Sequence, residues 1–243
     1  MINANTINYY DIVSENEFGR CRTIRYKQYM YSDILGKDGI PNYELCNYGC
    51  GPTSLATILS SEGYDYDPIE VAKLMYLDEF GNTLDFFTNR RNGRRGATFL
   101  GFLYVLQELA RSNVDIEYQL VKCSYEHPEL KRYEITSMIQ DGYMALILVG
   151  PNGRIEHPRT FSNYGHYIAV TSIHNETLEF YVANPNRTGD NQIDTTFSYD
   201  VLTSNINYAI MTKSPLCLSG DLCVFIGELH ASGVSAGISL LFI

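Results

Sequence analysis

The chain contains no tryptophan, and only five of its 243 residues are histidine, so each imidazole can be weighed singly. It has neither a pair of CxxC motifs nor an HExxH helix, which removes the usual sequence support for a zinc site. No metal or cofactor is expected. No unbroken apolar run is long enough to span a bilayer, because Asp221, Glu228 and His230 interrupt the most apolar region, at the C-terminus. Excess positive charge is also lacking. The formal net charge is −10 and the isoelectric point is about 4.9, so duplex nucleic acid and anionic membrane surfaces are repelled overall. The one basic cluster, Arg90-Arg91-Asn92-Gly93-Arg94-Arg95-Gly96, reads as a solvated loop, with a rim for an acidic substrate as the alternative. Met1 to Asn8 shows neither a basic start nor an apolar stretch of secretory type, so a cytoplasmic location is the default expectation, with export by another route left open. Internal repeats and low-complexity blocks are absent as well. At 243 residues, 45% hydrophobic and 19% charged, the chain suits one large globular domain or one domain with an appendage rather than a disordered segment.

Against that background one run stands out, Tyr48-Gly49-Cys50-Gly51-Pro52-Thr53-Ser54-Leu55. Pro52 suits a first helical turn, where its missing N–H is not needed and its fixed φ fits. Leu55, Ile58 and Leu59 follow at helical spacing and Gly63 supplies a stop. Cys50 is therefore expected where a loop becomes a helix. A thiol at that pole is drawn toward the thiolate, below the ordinary pKa of about 8.5.

A thiol of this kind needs a base. His166 opens Gly165-His166-Tyr167-Ile168-Ala169-Val170-Thr171-Ser172-Ile173, whose β-branched and aromatic content predicts a strand. His174-Asn175-Glu176-Thr177 reads as a turn, and Leu178 to Asn184 as the returning strand, ended by Pro185. A hairpin symmetric about that turn puts His166 opposite Pro185 and beside Asn184. Asn184 is thus the candidate that orients the imidazole in a Cys-His-Asn set. His127, His157, His174 and His230 lie in polar loops, the turn or the tail and are read as solvated or structural.

The Gly49–Leu59 segment, the His-led strand and the Val182-Ala183-Asn184-Pro185 return resemble the papain-like cysteine peptidases of the bacteriocin-processing, double-glycine type, in their broad peptidase-like branch. The resemblance spans roughly residues 24–214. It implies that Gln28, in Tyr26-Lys27-Gln28, helps form an oxyanion hole, although it lies farther upstream of the cysteine than in papain; Asn42 and Asn47 are nearer amide donors. The third residue is commonly Asp in this branch and is Asn184 here. What the resemblance implies is a thiol hydrolase acting on a peptide or protein substrate. The alternatives are an acyltransferase or cell-wall peptide amidase on the same fold, or a peptide-binding module without turnover. Loss of Gln28 is expected to slow catalysis without abolishing it.

The expected fold class is α+β and papain-like, with an N-terminal helical layer carrying Cys50 packed on a C-terminal antiparallel sheet carrying His166 and Asn184. Residues 1–23 read as an irregular extension, 24–214 as the peptidase domain and 215–243 as an apolar C-terminal extension. Asp67-Pro68-Ile69-Glu70 predicts a capped helix start, Thr98 to Ala110 a helix with an apolar stripe, Val114 to Val121 a strand, Glu134 to Gln140 a short helix and Tyr143 to Val149 a buried strand. Cys46 is expected to be a free thiol.

Overall fold

The computed structural model describes residues 10–16, 19–28, 42–76, 84, 86–87, 96–122, 128–149, 165–174, 177, 179–185, 195–198 and 206–213. The basic cluster at 90–95, the extension 215–243, Cys123, Cys217, Cys223, His127, His157 and His230 lie outside the described residues.

The first described element is a hairpin, β1 (Tyr10–Asn16) paired antiparallel with β2 (Gly19–Arg25) from Tyr10↔Arg25 to Asn16↔Gly19. This corrects the expectation of an irregular 1–23 segment. In the sequence, the β-branched residues Ile12, Val13, Thr23 and Ile24, which suit an extended backbone, stand among polar ones that hide the pattern. β2 then packs on the cysteine helix.

Four helices follow: α1 (Asn42–Tyr48), α2 (Cys50–Ser61), α3 (Pro68–Tyr76) and α4 (Phe99–Arg111). The starts of α3 and α4 carry side-chain caps, the first of them as expected. Asp67 Oδ1 accepts from the N–H groups of Ile69 and Glu70, each at 2.8 Å, and Glu70 Oε2 accepts from Asp67 N–H at 2.8 Å. These bonds make a reciprocal box that satisfies donors α3 would otherwise leave open. Thr98 does the same for α4 by accepting from Gly101 N–H at 3.2 Å.

The rest of the described chain forms an antiparallel sheet in the order β3-β8-β4-β5-β6-β7, comprising β3 (Glu117–Lys122), β4 (Met144–Val149), β5 (His166–His174), β6 (Glu179–Ala183), β7 (Thr195–Ser198) and β8 (Ile206–Lys213). Strand alternation gives it two buried faces. Met144, Leu146, Tyr167, Ala169, Ala183 and Ile210 join the core formed with Leu55, Ile58, Leu59 and Phe102 of α2 and α4. Ala145, Ile147, Ile168, Val170, Val182 and Met211 face the other way, toward Ile135 and Ile139 of α5 (Pro128–Gln140). The fold is thus α+β, with the helical layer that bears Cys50 packed on an antiparallel sheet. A further helix covers the opposite face.

β8 was not anticipated, yet it is an interior strand paired with both β3 and β4. The short helix expected at Glu134 is instead a 13-residue helix beginning at Pro128. Among the described residues, no helix is long and apolar enough to cross a membrane.

Candidate active site

Cys50 begins α2, but not after a loop: α1 runs to Tyr48 and only Gly49 separates the two helices. Gly49 N–H donates to Leu45 O at 2.8 Å, while Thr53 N–H donates to Gly49 O at 3.0 Å, so the chain bends with its helical bonding largely kept. The bend requires glycine because of a close approach rather than an unusual φ. A Cβ at Gly49 would collide with the Leu45 carbonyl, which is backbone and cannot swing away. Gly49→Ala is therefore expected to lower stability by about 1–3 kcal/mol and to blunt Cys50 reactivity, checked by urea unfolding and thiol labelling of the same preparation.

The remaining residues of the run anchor the helix tip. Gly51 lies against Ala97 and the Phe102 ring with no room for a side chain. Ser54 Oγ donates to Tyr167 O at 3.1 Å, which ties α2 to the start of β5 one residue beyond His166. Phe102 meets the Tyr167 ring edge-on at 4.7 Å between centroids, fixing the same point from α4.

His166 is 5% exposed at the first position of β5. Its Nε2 and Asn184 Oδ1 lie 2.8 Å apart. Because Oδ1 can only accept, Nε2 carries the proton of that bond and Nδ1 is left for the sulfur. His166 hydrogen-bonds the Cys50 side chain. The hairpin register is offset from the symmetric expectation by two residues near the turn and by one on the His166 side of the bulge. Ser172 pairs with Tyr181 and Ala169 with Ala183, with a bulge between Val170 and Ser172. Continued from there, the ladder would put Asn184 across from Ile168 rather than next to Pro185's supposed partner. Pairing between β5 and β6 stops at Ala169↔Ala183, so His166, still paired with Val149 of β4, and Asn184 meet beyond the end of that ladder.

Burial alone would raise the Cys50 thiol. Against it act the hydrogen bond and charge of His166, together with the N–H groups of Tyr167 and Gly51 directed at the sulfur, and the net result is below the ordinary thiol range. Burial also disfavours a charged His166. The Cys50 hydrogen bond and charge, then Asn184, outweigh that burial and the opposing charge of Lys27, so its pKa ends above the ordinary imidazole value. Both shifts widen the pH range over which thiolate and imidazolium coexist, as one coupled pair.

Gln28 is buried at the border of this group. Its Nε2 donates to Cys46 O at 3.0 Å and its main-chain N–H to Pro185 O at 3.2 Å. An amide nitrogen has two hydrogens, so the bond to Cys46 leaves one over. Cys46 sits in α1 and forms no disulfide among the described residues; Asn47 is exposed on the same helix. His174 Nδ1 accepts from Thr177 N–H at 3.3 Å in the turn, a structural use. Sequence reasoning passed over Lys27, Ser54 and Tyr167. Only the adjacency of Lys27 to Gln28 hinted at the first.

The model of the Peptidase_C39 like family matches residues 26–215. The chain belongs to that family. It is also similar to the crystal structure of a protein described as a C39-like peptidase from Bacillus anthracis, with 15% identity and a TM-score of 0.43 over 69% of this chain and 90% of that one. None of the curated proteins compared with the chain matches it by sequence. Family membership and an α+β fold of this kind point to a peptidase with a peptide substrate.

Proposed function

We propose that this C39-like protein is a thiol hydrolase that cleaves a peptide or amide bond through a thioester, with Cys50 as nucleophile, His166 as acid and base, and Asn184 as the group that orients His166. The observation that carries the proposal is the chain of hydrogen bonds from the Cys50 thiol through the His166 ring to the Asn184 carboxamide. In the first half-reaction the thiolate attacks the acyl carbon, a C–S bond forms and the carbonyl oxygen becomes negative. Collapse breaks the C–N bond as His166 gives its proton to the leaving amine. Water then attacks the thioester, His166 takes its proton, and the acid leaves as the thiolate re-forms. The Cys50 main-chain N–H and the second Gln28 amide hydrogen are the proposed donors to the oxyanion, and one such donor lowers the barrier by about 2.7–4 kcal/mol.

The test is alkylation of Cys50 by iodoacetamide across pH, read by peptide mapping with Cys46 as internal reference. Cys50 is expected to label well below pH 8, ahead of Cys46, and a peptide library is expected to be cleaved by the wild-type chain but not by Cys50→Ala. Equal labelling of the two cysteines at every pH, with no cleavage, would leave a peptide-binding module. Products carrying an added amine in place of water would mark an acyltransferase.

A further inference from the structure

The three residues after β2 touch both halves of the site. Tyr26 N–H donates to Thr57 Oγ1 at 3.3 Å, and its hydroxyl shares a hydrogen bond with Ser60 Oγ at 3.2 Å, both on α2. Gln28 holds Pro185 and Cys46 by the bonds described above. Between them Lys27, only 8% exposed, donates from Nζ to the Asn184 carbonyl oxygen at 2.6 Å. We propose that Lys27 is a positioning residue of this site: its ammonium grips the Asn184 carbonyl and thereby keeps the Asn184 carboxamide against His166. This assignment rests on the thiol-hydrolase reading above.

Asn184 is the residue that needs such a hold. It follows the last residue of β6, and the ladder with β5 ends one residue earlier, at Ala183. The Lys27 ammonium reaches it beyond the end of that ladder, and a charge-assisted hydrogen bond is roughly twice as strong as a neutral one. Stability alone gives little reason to choose lysine here. A buried ammonium is costly to desolvate, and this one also opposes the charge on the neighbouring imidazolium. A neutral donor would satisfy the carbonyl without either penalty. What the ammonium adds is a short, strong tether from the strap fixed on α2 to the residue that aligns the imidazole. Cys50 and Asn184 favour the charged form of His166, and Lys27 opposes it. Removing Lys27 relieves a repulsion and loosens Asn184 at once, so a single variant mixes two effects. A double-mutant cycle separates them.

The experiment measures the rate of Cys50 alkylation at pH 7, relative to Cys46, in the full chain and in Lys27→Met, Asn184→Ala and the double variant. If Lys27 acts through Asn184, Lys27→Met is expected to slow labelling about tenfold when Asn184 is present and less than about twofold when it is alanine. An equal loss in both backgrounds, or no loss in either, overturns the assignment. His166→Ala is carried in parallel. If it labels at the wild-type rate, the thiol-hydrolase reading has failed; if it loses its advantage while Lys27→Met does not, the Lys27 assignment alone has failed. Lys27→Leu, which likewise cannot donate to the Asn184 carbonyl, replaces the methionine variant should that one not fold.

Discussion

His166→Ala is expected to return the Cys50 thiol to the ordinary range and to slow turnover by about 10²–10⁴-fold. The size follows from two roles that end together. The imidazolium stabilises the thiolate by a hydrogen bond and by its charge, and it is the proton donor to the leaving amine in the proposed cycle. With the ring gone, burial is the largest influence left on the sulfur, and it acts in favour of the neutral thiol. The N–H groups of Tyr167 and Gly51 still point at the sulfur, and the helix pole is unchanged, so some acidity should survive. The measurement is the pH dependence of Cys50 alkylation beside the rate of peptide cleavage. In the wild type the alkylation curve should rise below the ordinary thiol range; in His166→Ala it should rise later, and cleavage should fall at every pH. Superimposable alkylation curves would separate Cys50 from His166 and remove the basis for the proposed chemistry.

The second large effect lies at the other end of the same helix. Glu62 follows α2, is 1% exposed, and neither of its carboxyl oxygens has a hydrogen-bond partner among the described residues. Burial pushes its pKa up from 4.5 to about 8, with the nearby Thr212 easing the charge only slightly. Although Thr212 stands close enough to have that influence, its hydroxyl is itself without a partner, so the carboxyl is best regarded as unsatisfied. The negative pole of the helix adds to the reasons for this group to stay neutral.

A carboxyl whose folded pKa is raised binds a proton in the folded state that the unfolded chain has already lost. Stability therefore declines as pH rises from about 4.5 to about 8 and levels off above that, for a total on the order of 5 kcal/mol. Glu62→Gln keeps the shape and removes the titration. The variant is expected to match the wild type within about 1 kcal/mol near pH 4.5 and to exceed it by several kcal/mol at pH 8.5. Urea unfolding of both proteins under reducing conditions at the two pH values checks this, because the pH dependence of every other group cancels in the difference. Parallel stability curves would mean that the carboxyl finds solvation when charged.

Much of this site is written in short-range patterns. Gly49 to Leu59 carries its own helix start, and the chain around His166 carries its own strand, turn and return, because alternation and punctuation are local properties. The Asp67 and Thr98 caps are local in the same way, and both helices begin where those residues place them. The hairpin estimate missed for reasons outside local pattern. The turn sits one residue later than the sequence suggests, with His174 paired to Glu179, and the bulge between Val170 and Ser172 takes back one residue of the resulting two-residue offset; nothing in Thr171-Ser172 announces it.

β8 was overlooked because Ile206 to Lys213 mixes polar and apolar residues, and its placement between β3 and β4 depends on partners far away in the chain. Lys27 shows the same division. As a letter it is one more surface-type cation, and only folding brings its ammonium to the Asn184 carbonyl. The sequence by itself determined the residue types of the site and the helix and strand that bear them, since these follow from periodicity and backbone preference. Tertiary structure alone decided that Cys50, His166 and Asn184 meet and what holds them, because burial, register and long-range hydrogen bonds come into being only when distant segments share one core.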